Sequence, residues 1–117
     1  MITAAETKRQ FEVDPQWWKI PLLDFVDDFR RRRDPAGIAE PFHLSDEKKD
    51  AVLAGVIETL CDEMNIEIPS WLDKVPACSD PYFVSELENV KAITLVESPV
   101  RFRIRKVFVL ENFLSRV

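Results

Sequence analysis

The sequence predicts a mainly α fold: a small single-domain helical bundle with a short extended segment near the C-terminus. Three observations carry this. The chain has 117 residues, 46% of them apolar and 32% charged, enough for one domain with its own core and no need of a metal or disulfide staple. Two long segments repeat apolar residues at helical spacing and are bounded by capping residues. Strand-like alternation is confined to the last stretch of the chain.

Residues 1–13 show no stable periodicity and read as a flexible N-terminal arm, leaving 14–117 as the single helical domain. Asp14 and Pro15 then make an N-cap and first-turn pair, and Pro21 interrupts or restarts the helix. Leu22, Phe25, Val26 and Phe29 follow at i, i+3, i+4 and i+7, one apolar face. Asp24, Asp27 and Asp28 lie early, and Arg30, Arg31, Arg32 and Arg33 lie late. That order suits the helix dipole and permits Asp27–Arg31 and Asp28–Arg32 pairs. The turn residues Asp34, Pro35, Ala36 and Gly37 end the segment.

The clearest element is "SDEKKDAVLAGVIETLCDEMN", residues 45–65. Ser45 is the expected N-cap and Asn65 the C-terminal cap. Val52, Leu53, Val56, Ile57, Leu60, Cys61 and Met64 make a stripe wide enough for a central helix with several neighbours. Gly55 inside it marks a place where another backbone comes close. Next comes "IEIPSWLDKVPACSDPYF", residues 66–83, too apolar for a free linker. Trp71, Tyr82 and Phe83 are expected to fold it back onto the helices, with Ser70 capping a short turn through Lys74. Residues 86–97 fit a helix, but Ile93, Thr94, Leu95 and Val96 make a strand a rival. "RFRIR" alternates as a strand does, so helix and strand both stay open over 86–105. The best extended piece is 107–109.

The balance of 16 basic and 21 acidic residues, net −5, argues against nonspecific nucleic-acid binding. It favours a basic partner. Cys61 and Cys78, the two cysteines, match no zinc or redox spacing and read as reduced thiols of a cytoplasmic protein. No apolar run is long enough to span a membrane. His43, the single histidine, has Asp46 and Glu47 nearby, a weak hint of metal ligands. A structural or solvated role is the better reading, because no second histidine or cysteine pair completes a site. A nucleophilic pair of Cys61 or Cys78 with His43 lacks any local signature. With only Gly37 and Gly55 there is no phosphate loop. The expectation is a protein with no catalytic residue, cofactor or metal.

The candidate residues are therefore partner-binding ones. Trp17 and Trp18 are adjacent, about 100° apart on a helix, and cannot share one face. One ring is then left for a neighbouring segment, a second subunit or a partner, and tryptophan is a favoured interface anchor. Use of both in the core, through the arm, is equally open. In "VRFRIRKVFV" Phe102 and Phe108 are expected inside. Arg101, Arg103 and Arg105 are expected at or near the surface, since burying unpaired guanidiniums is costly.

Residues 44–117 also resemble a loosely defined bacterial family. The likeness is carried by Pro69 and Trp71 after the central helix, by "DPYF" and, most specifically, by "LVESPVRFRIRKVFVLENFLSR". Its members are small, mostly helical proteins regarded as the antitoxin half of toxin–antitoxin pairs. Related segments occur behind an Xre-type helix-turn-helix, beside nucleotidyltransferase-type toxins. The resemblance implies a chain that binds and neutralises a cognate toxin protein, a nucleotidyltransferase-like one among the options. This chain departs from its relatives in having Lys106 where they have glycine and in lacking a tryptophan near Tyr82. No helix-turn-helix precedes residues 44–117, so operator binding is not carried over. The rivals are an adaptor or immunity-like binding module, a small enzyme using His43, and a nucleic-acid accessory protein using the two arginine clusters. A homo-oligomer is compatible with each.

Overall fold

A computed structural model describes residues 1–85 and 87–115. Five α-helices dominate it: α1 (Ala4–Val13), α2 (Lys19–Arg32), α3 (Glu47–Met64), α4 (Glu88–Glu97) and α5 (Val100–Ile104). Single 3-10 turns lie at Pro15–Trp17, Pro35–Ile38 and Ser70–Lys74. A two-stranded parallel ladder joins β1 (Tyr82–Phe83) to β2 (Val107–Phe108), pairing Tyr82 with Val107 and Phe83 with Phe108. The fold is mainly α, with its extended piece where the sequence places one.

α3 is the central element and packs against α1, α2, α5 and β2. Val52, Leu53, Val56, Ile57 and Leu60 are fully enclosed. Asp46, rather than Ser45, caps α3, its carboxylate accepting from the Lys48 and Lys49 amides at 3.1 and 3.3 Å. The Ser45 and Asp46 amides donate back to Asp50 Oδ2 at 3.1 and 3.2 Å, which satisfies donors outside the helix. Asn65 ends the helix in the left-handed region, at φ 56°. What approaches Gly55 is a ring and not a backbone. A Cβ there would lie 2.9 Å from Phe102 Cδ1, and Phe102 is fully buried. Glycine in mid-helix costs about 1 kcal/mol relative to alanine, and here it lets an aromatic ring of α5 approach α3 closely.

The expected arm at residues 1–13 is a helix instead. Thr3 caps α1 by accepting from the Glu6 amide at 3.1 Å. Ala4, Thr7, Lys8 and Phe11 are its buried residues. Their spacing is i, i+3, i+4 and i+7, a regular helical face written with a threonine and a lysine in place of aliphatics. The lysine is tolerated because its ammonium is satisfied: 2.5 Å from Asp50 Oδ1, 2.7 Å from the His43 carbonyl and 3.0 Å from Ser45 Oγ. Asp50 Oδ1 meets it as an ion pair without directed hydrogen-bond geometry.

After α1, Asp14 opens only a 3-10 turn, and α2 starts beyond it. Pro21 then falls in the first turn of α2, where its missing N–H has no helical acceptor to satisfy. α2 buries Leu22, Phe25, Val26 and Phe29. At its other end Arg31 and Arg32 reach Asp28 Oδ1 at 2.7 and 3.0 Å, and Arg30 forks onto Glu63 of α3 at 2.9 and 3.0 Å. The arginine run is thus largely engaged within the molecule.

The proline-rich connection folds back as expected. Trp71 donates to the Ile38 carbonyl at 3.0 Å and meets Phe42 edge-on at 5.5 Å. Over 88–104 the helix wins against the strand in both segments. The start expected for α4 at residue 86 lies outside the described residues. Ser98 and Pro99 break α4 from α5, and the chain then turns at Lys106, φ 59°, into β2. Phe102 is in the core, whereas Phe108 is half-buried and stacked on Phe83 at 5.2 Å.

Candidate protein-binding surfaces

The adjacent tryptophans lie where the Pro15–Trp17 turn meets α2, and they divide between core and surface. Trp18 is buried, 8% exposed, with Phe11 edge-on to it at 5.8 Å. Trp17 is 56% exposed and Ile20, one turn on, is 55% exposed. These two side chains form a ridge between two concave surfaces. On one side is a groove of about 480 Å³ lined by Glu6, Gln10, Asp14 and Asp24 among others. On the other is a cleft of about 810 Å³ whose walls include Trp18, Lys19, Lys49, Tyr82 and Phe113. Of the pair, Trp17 alone presents a large exposed ring.

The three tail arginines have three different fates. Arg101, one-third exposed, holds Asp62 of α3 with paired contacts at 2.8 and 3.1 Å. Arg105 is buried, which corrects the expectation of a surface position. Its guanidinium donates to Glu58 Oε1 at 2.6 Å and to the Val75 and Leu72 carbonyls at 2.7 and 3.0 Å. The expected cost of burial does not arise, because a carboxylate, the Val75 carbonyl and the Leu72 carbonyl, which also accepts from the Val75 amide at 3.1 Å, meet it. Arg103 is exposed and makes no ion pair among the described residues. Arg101 and Arg105 do share one groove, of about 340 Å³, together with Ile104.

Sequence reasoning missed the aliphatic outer side of α4 and α5. Ile93, Leu95, Val96, Val100 and Ile104 are 46%, 49%, 79%, 55% and 65% exposed. Thr94 is the one residue of α4 that is buried, its hydroxyl donating to the Lys91 carbonyl at 2.7 Å. The signal was in the sequence: Val96, Val100 and Ile104 recur every fourth residue. The Ser98-Pro99 break and the β-branched run concealed it.

The groups capable of nucleophilic or metal chemistry are dispersed or engaged. His43 is exposed and its Nδ1 lies 3.1 Å from Glu12 Oε1. The Ser45 hydroxyl at 2.8 Å, first, and the His43 ring, second, hold the Glu12 carboxyl down to about 2. This cluster ties α1 to the loop before α3. Burial, first, and the carboxylates of Asp62 and Glu58 push the Cys61 thiol up to about 11. Burial raises Cys78 too. Both shifts run opposite to that of an activated thiolate. Among the described residues no three of His, Cys, Asp and Glu converge on a point that could hold a metal ion. No described helix is long and apolar enough to cross a membrane. No protein-family model, curated protein or solved structure matches the chain.

Proposed function

We propose that this chain is a cytoplasmic, cofactor-free protein-binding module of the antitoxin kind, one that binds a cognate toxin protein and neutralises it sterically. The observation that carries the reading is the aliphatic outer side of α4 and α5. Exposed apolar side chains scattered singly are ordinary, but a run of them on consecutive helices marks an interaction surface. Here five such residues fall within 93–104. Arg103 stands exposed beside them, and the groove holding Ile104 carries Arg101 at its edge. An apolar centre with an arginine rim is the usual anatomy of a protein interface. The resemblance of "LVESPVRFRIRKVFVLENFLSR" supplies the class of partner, and four of the five exposed aliphatic residues, Leu95, Val96, Val100 and Ile104, lie within that stretch.

The test is co-expression with the product of an adjacent toxin-like reading frame, scored by growth rescue and by co-purification. Rescue by the unaltered chain is expected. Val96→Asp with Ile104→Asp should abolish it while thermal melting stays within a few degrees. Failure of the unaltered chain to rescue or to co-purify would sink the antitoxin reading. Undiminished rescue by the double variant would move the toxin contact elsewhere. A second readout addresses the enzyme rival: His43→Ala should leave both rescue and fold unchanged.

A further inference from the structure

The described residues that line the cleft on the far side of the Trp17–Ile20 ridge carry a charge opposite to that of the protein. In a chain of net −5, no carboxylate occurs among the described residues that line it, while Lys19 and Lys49 do. Lys49 Nζ lies 4.6 Å from the Trp18 ring centre and 5.4 Å from that of Tyr82, and it donates to the Tyr82 hydroxyl at 3.3 Å. Lys19 Nζ also lies near Trp18, 5.7 Å from its ring centre, and Lys48 Nζ lies 5.4 Å from the Tyr82 ring centre. Three ammonium groups thus converge on two rings. None of them makes an ion pair among the described residues, although nine lysine or arginine pairs are formed elsewhere among those residues.

A lysine on an aromatic face is attracted to the ring but keeps unspent donors and an unneutralised charge. The ring contacts hold the ammonium groups in place and so lower the entropy cost of meeting an anion. The remaining walls are apolar or amide-bearing. Trp17, Val84, Val109 and Phe113 offer contact area, and Gln16 and Asn112 offer hydrogen bonds suited to a peptide backbone. A volume of about 810 Å³ lies in the range that encloses a ligand of several groups, larger than a bare inorganic anion needs.

We propose that this cleft binds an acidic peptide segment of a partner protein, its carboxylates on Lys19 and Lys49 and an apolar side chain against Trp17 and Phe113. The site is lined by none of the five exposed aliphatic residues of α4 and α5 and does not require that the partner be a toxin.

The probe is a capped decapeptide alternating aspartate with leucine, titrated into the full chain. Saturation is read from tryptophan fluorescence and from the indole N–H resonances of Trp17 and Trp18. The controls are the same peptide with lysine for aspartate, and tripolyphosphate. We expect saturable binding of the acidic peptide alone, weakening as salt rises. Lys19→Gln with Lys49→Gln should weaken it tenfold or more, and Lys19→Arg with Lys49→Arg should retain it, both with unchanged circular dichroism. No saturation, equal binding of the basic peptide, or no loss in the glutamine variant would each overturn the proposal. Tripolyphosphate that binds as tightly and displaces the peptide would overturn it in favour of a bare-anion site. Because no toxin enters the titration, peptide binding without growth rescue would leave this site standing and remove the antitoxin reading. Rescue without peptide binding would do the reverse.

Discussion

α3 and α4 are both rich in aliphatic residues, and the fold uses them in opposite ways. α3 encloses Val52, Leu53, Val56, Ile57 and Leu60 completely. α4 turns Ile93, Leu95 and Val96 outward and puts Thr94 inside. Hydrophobicity does not separate the two helices; their neighbours do. α3 has helices on several sides, whereas α4 packs chiefly on the short strand β2. A helix covered on one narrow side can enclose only one or two positions per turn. A threonine there is acceptable when its hydroxyl finds a carbonyl in its own helix. The inner helix therefore builds stability, and the outer one leaves its apolar area uncovered.

The largest effect that bears on this contrast is expected at the tail arginines. Arg105→Ala would strand Glu58 and the Val75 carbonyl in the interior, a loss of about 3–5 kcal/mol. Arg103→Ala on the outer side should change stability by no more than about 0.5 kcal/mol. Urea denaturation of both variants measures the difference, and similar midpoints would put Arg105 in solvent. Next in size is the aliphatic pair. Leu60→Ala should cost about 2–5 kcal/mol, as truncation in an enclosed site does. Val96→Ala should stay within about 0.5 kcal/mol. A matching loss at Val96 would mean that α4 is packed like α3 and has no surface to offer.

Much of the inner layer was legible in the sequence. The α3 stripe, the α2 face, the Asn65 end and the return of Trp71 all follow from spacing and capping residues. What escaped notice has a common physical cause: positions where a polar side chain occupies an interior place because a specific partner satisfies it. Lys8 hid α1, since its helical face contains a cation whose partners, Asp50 and the His43 carbonyl, lie some 35 or more residues away. Arg105 looked like rim for the same reason, with Glu58 in α3 as its unseen partner. The aliphatic side of α4 and α5 was hidden differently, by a proline break and a β-branched run that imitate a strand. Of the candidate site residues, Trp17 and Trp18 separate, one outward and one inward, but their surroundings of lysine and tyrosine come largely from distant segments and leave no local pattern.

A smaller effect of opposite sign is expected where the outer layer joins β2. Lys106 sits at φ 59°, a region that costs an L-residue with a side chain about 1 kcal/mol and glycine almost nothing. Lys106→Gly should raise stability by up to about 1 kcal/mol, less whatever glycine adds to the entropy of the unfolded chain. A lowered melting temperature would show that the lysine stem contributes packing worth more than the strain.

Acid provides the last and narrowest separation of the layers. Asp28 sits among the inner elements, where it accepts from the Ile2 amide at 2.9 Å and pairs with Arg31 and Arg32. The Ile2 amide, first, and the two guanidiniums hold its carboxyl down from 3.8 to about 2, against burial, which pushes it up. A group whose folded pKa is depressed stabilises the fold fully above its unfolded value and loses that contribution as pH falls through the folded one. The stabilisation from Asp28 is therefore complete above about pH 4 and fades between 3.8 and about 2. Asp28→Asn should melt lower than the unaltered chain at pH 6. The gap should narrow as pH falls through that window, because the unaltered chain then acquires its own neutral carboxyl. Melting curves from pH 6 to pH 2 provide the measurement. A gap that stays constant across the series would mean that the carboxylate's charge is not what joins the start of α1 to α2. The loss in the variant would then come from disturbed hydrogen-bond geometry alone.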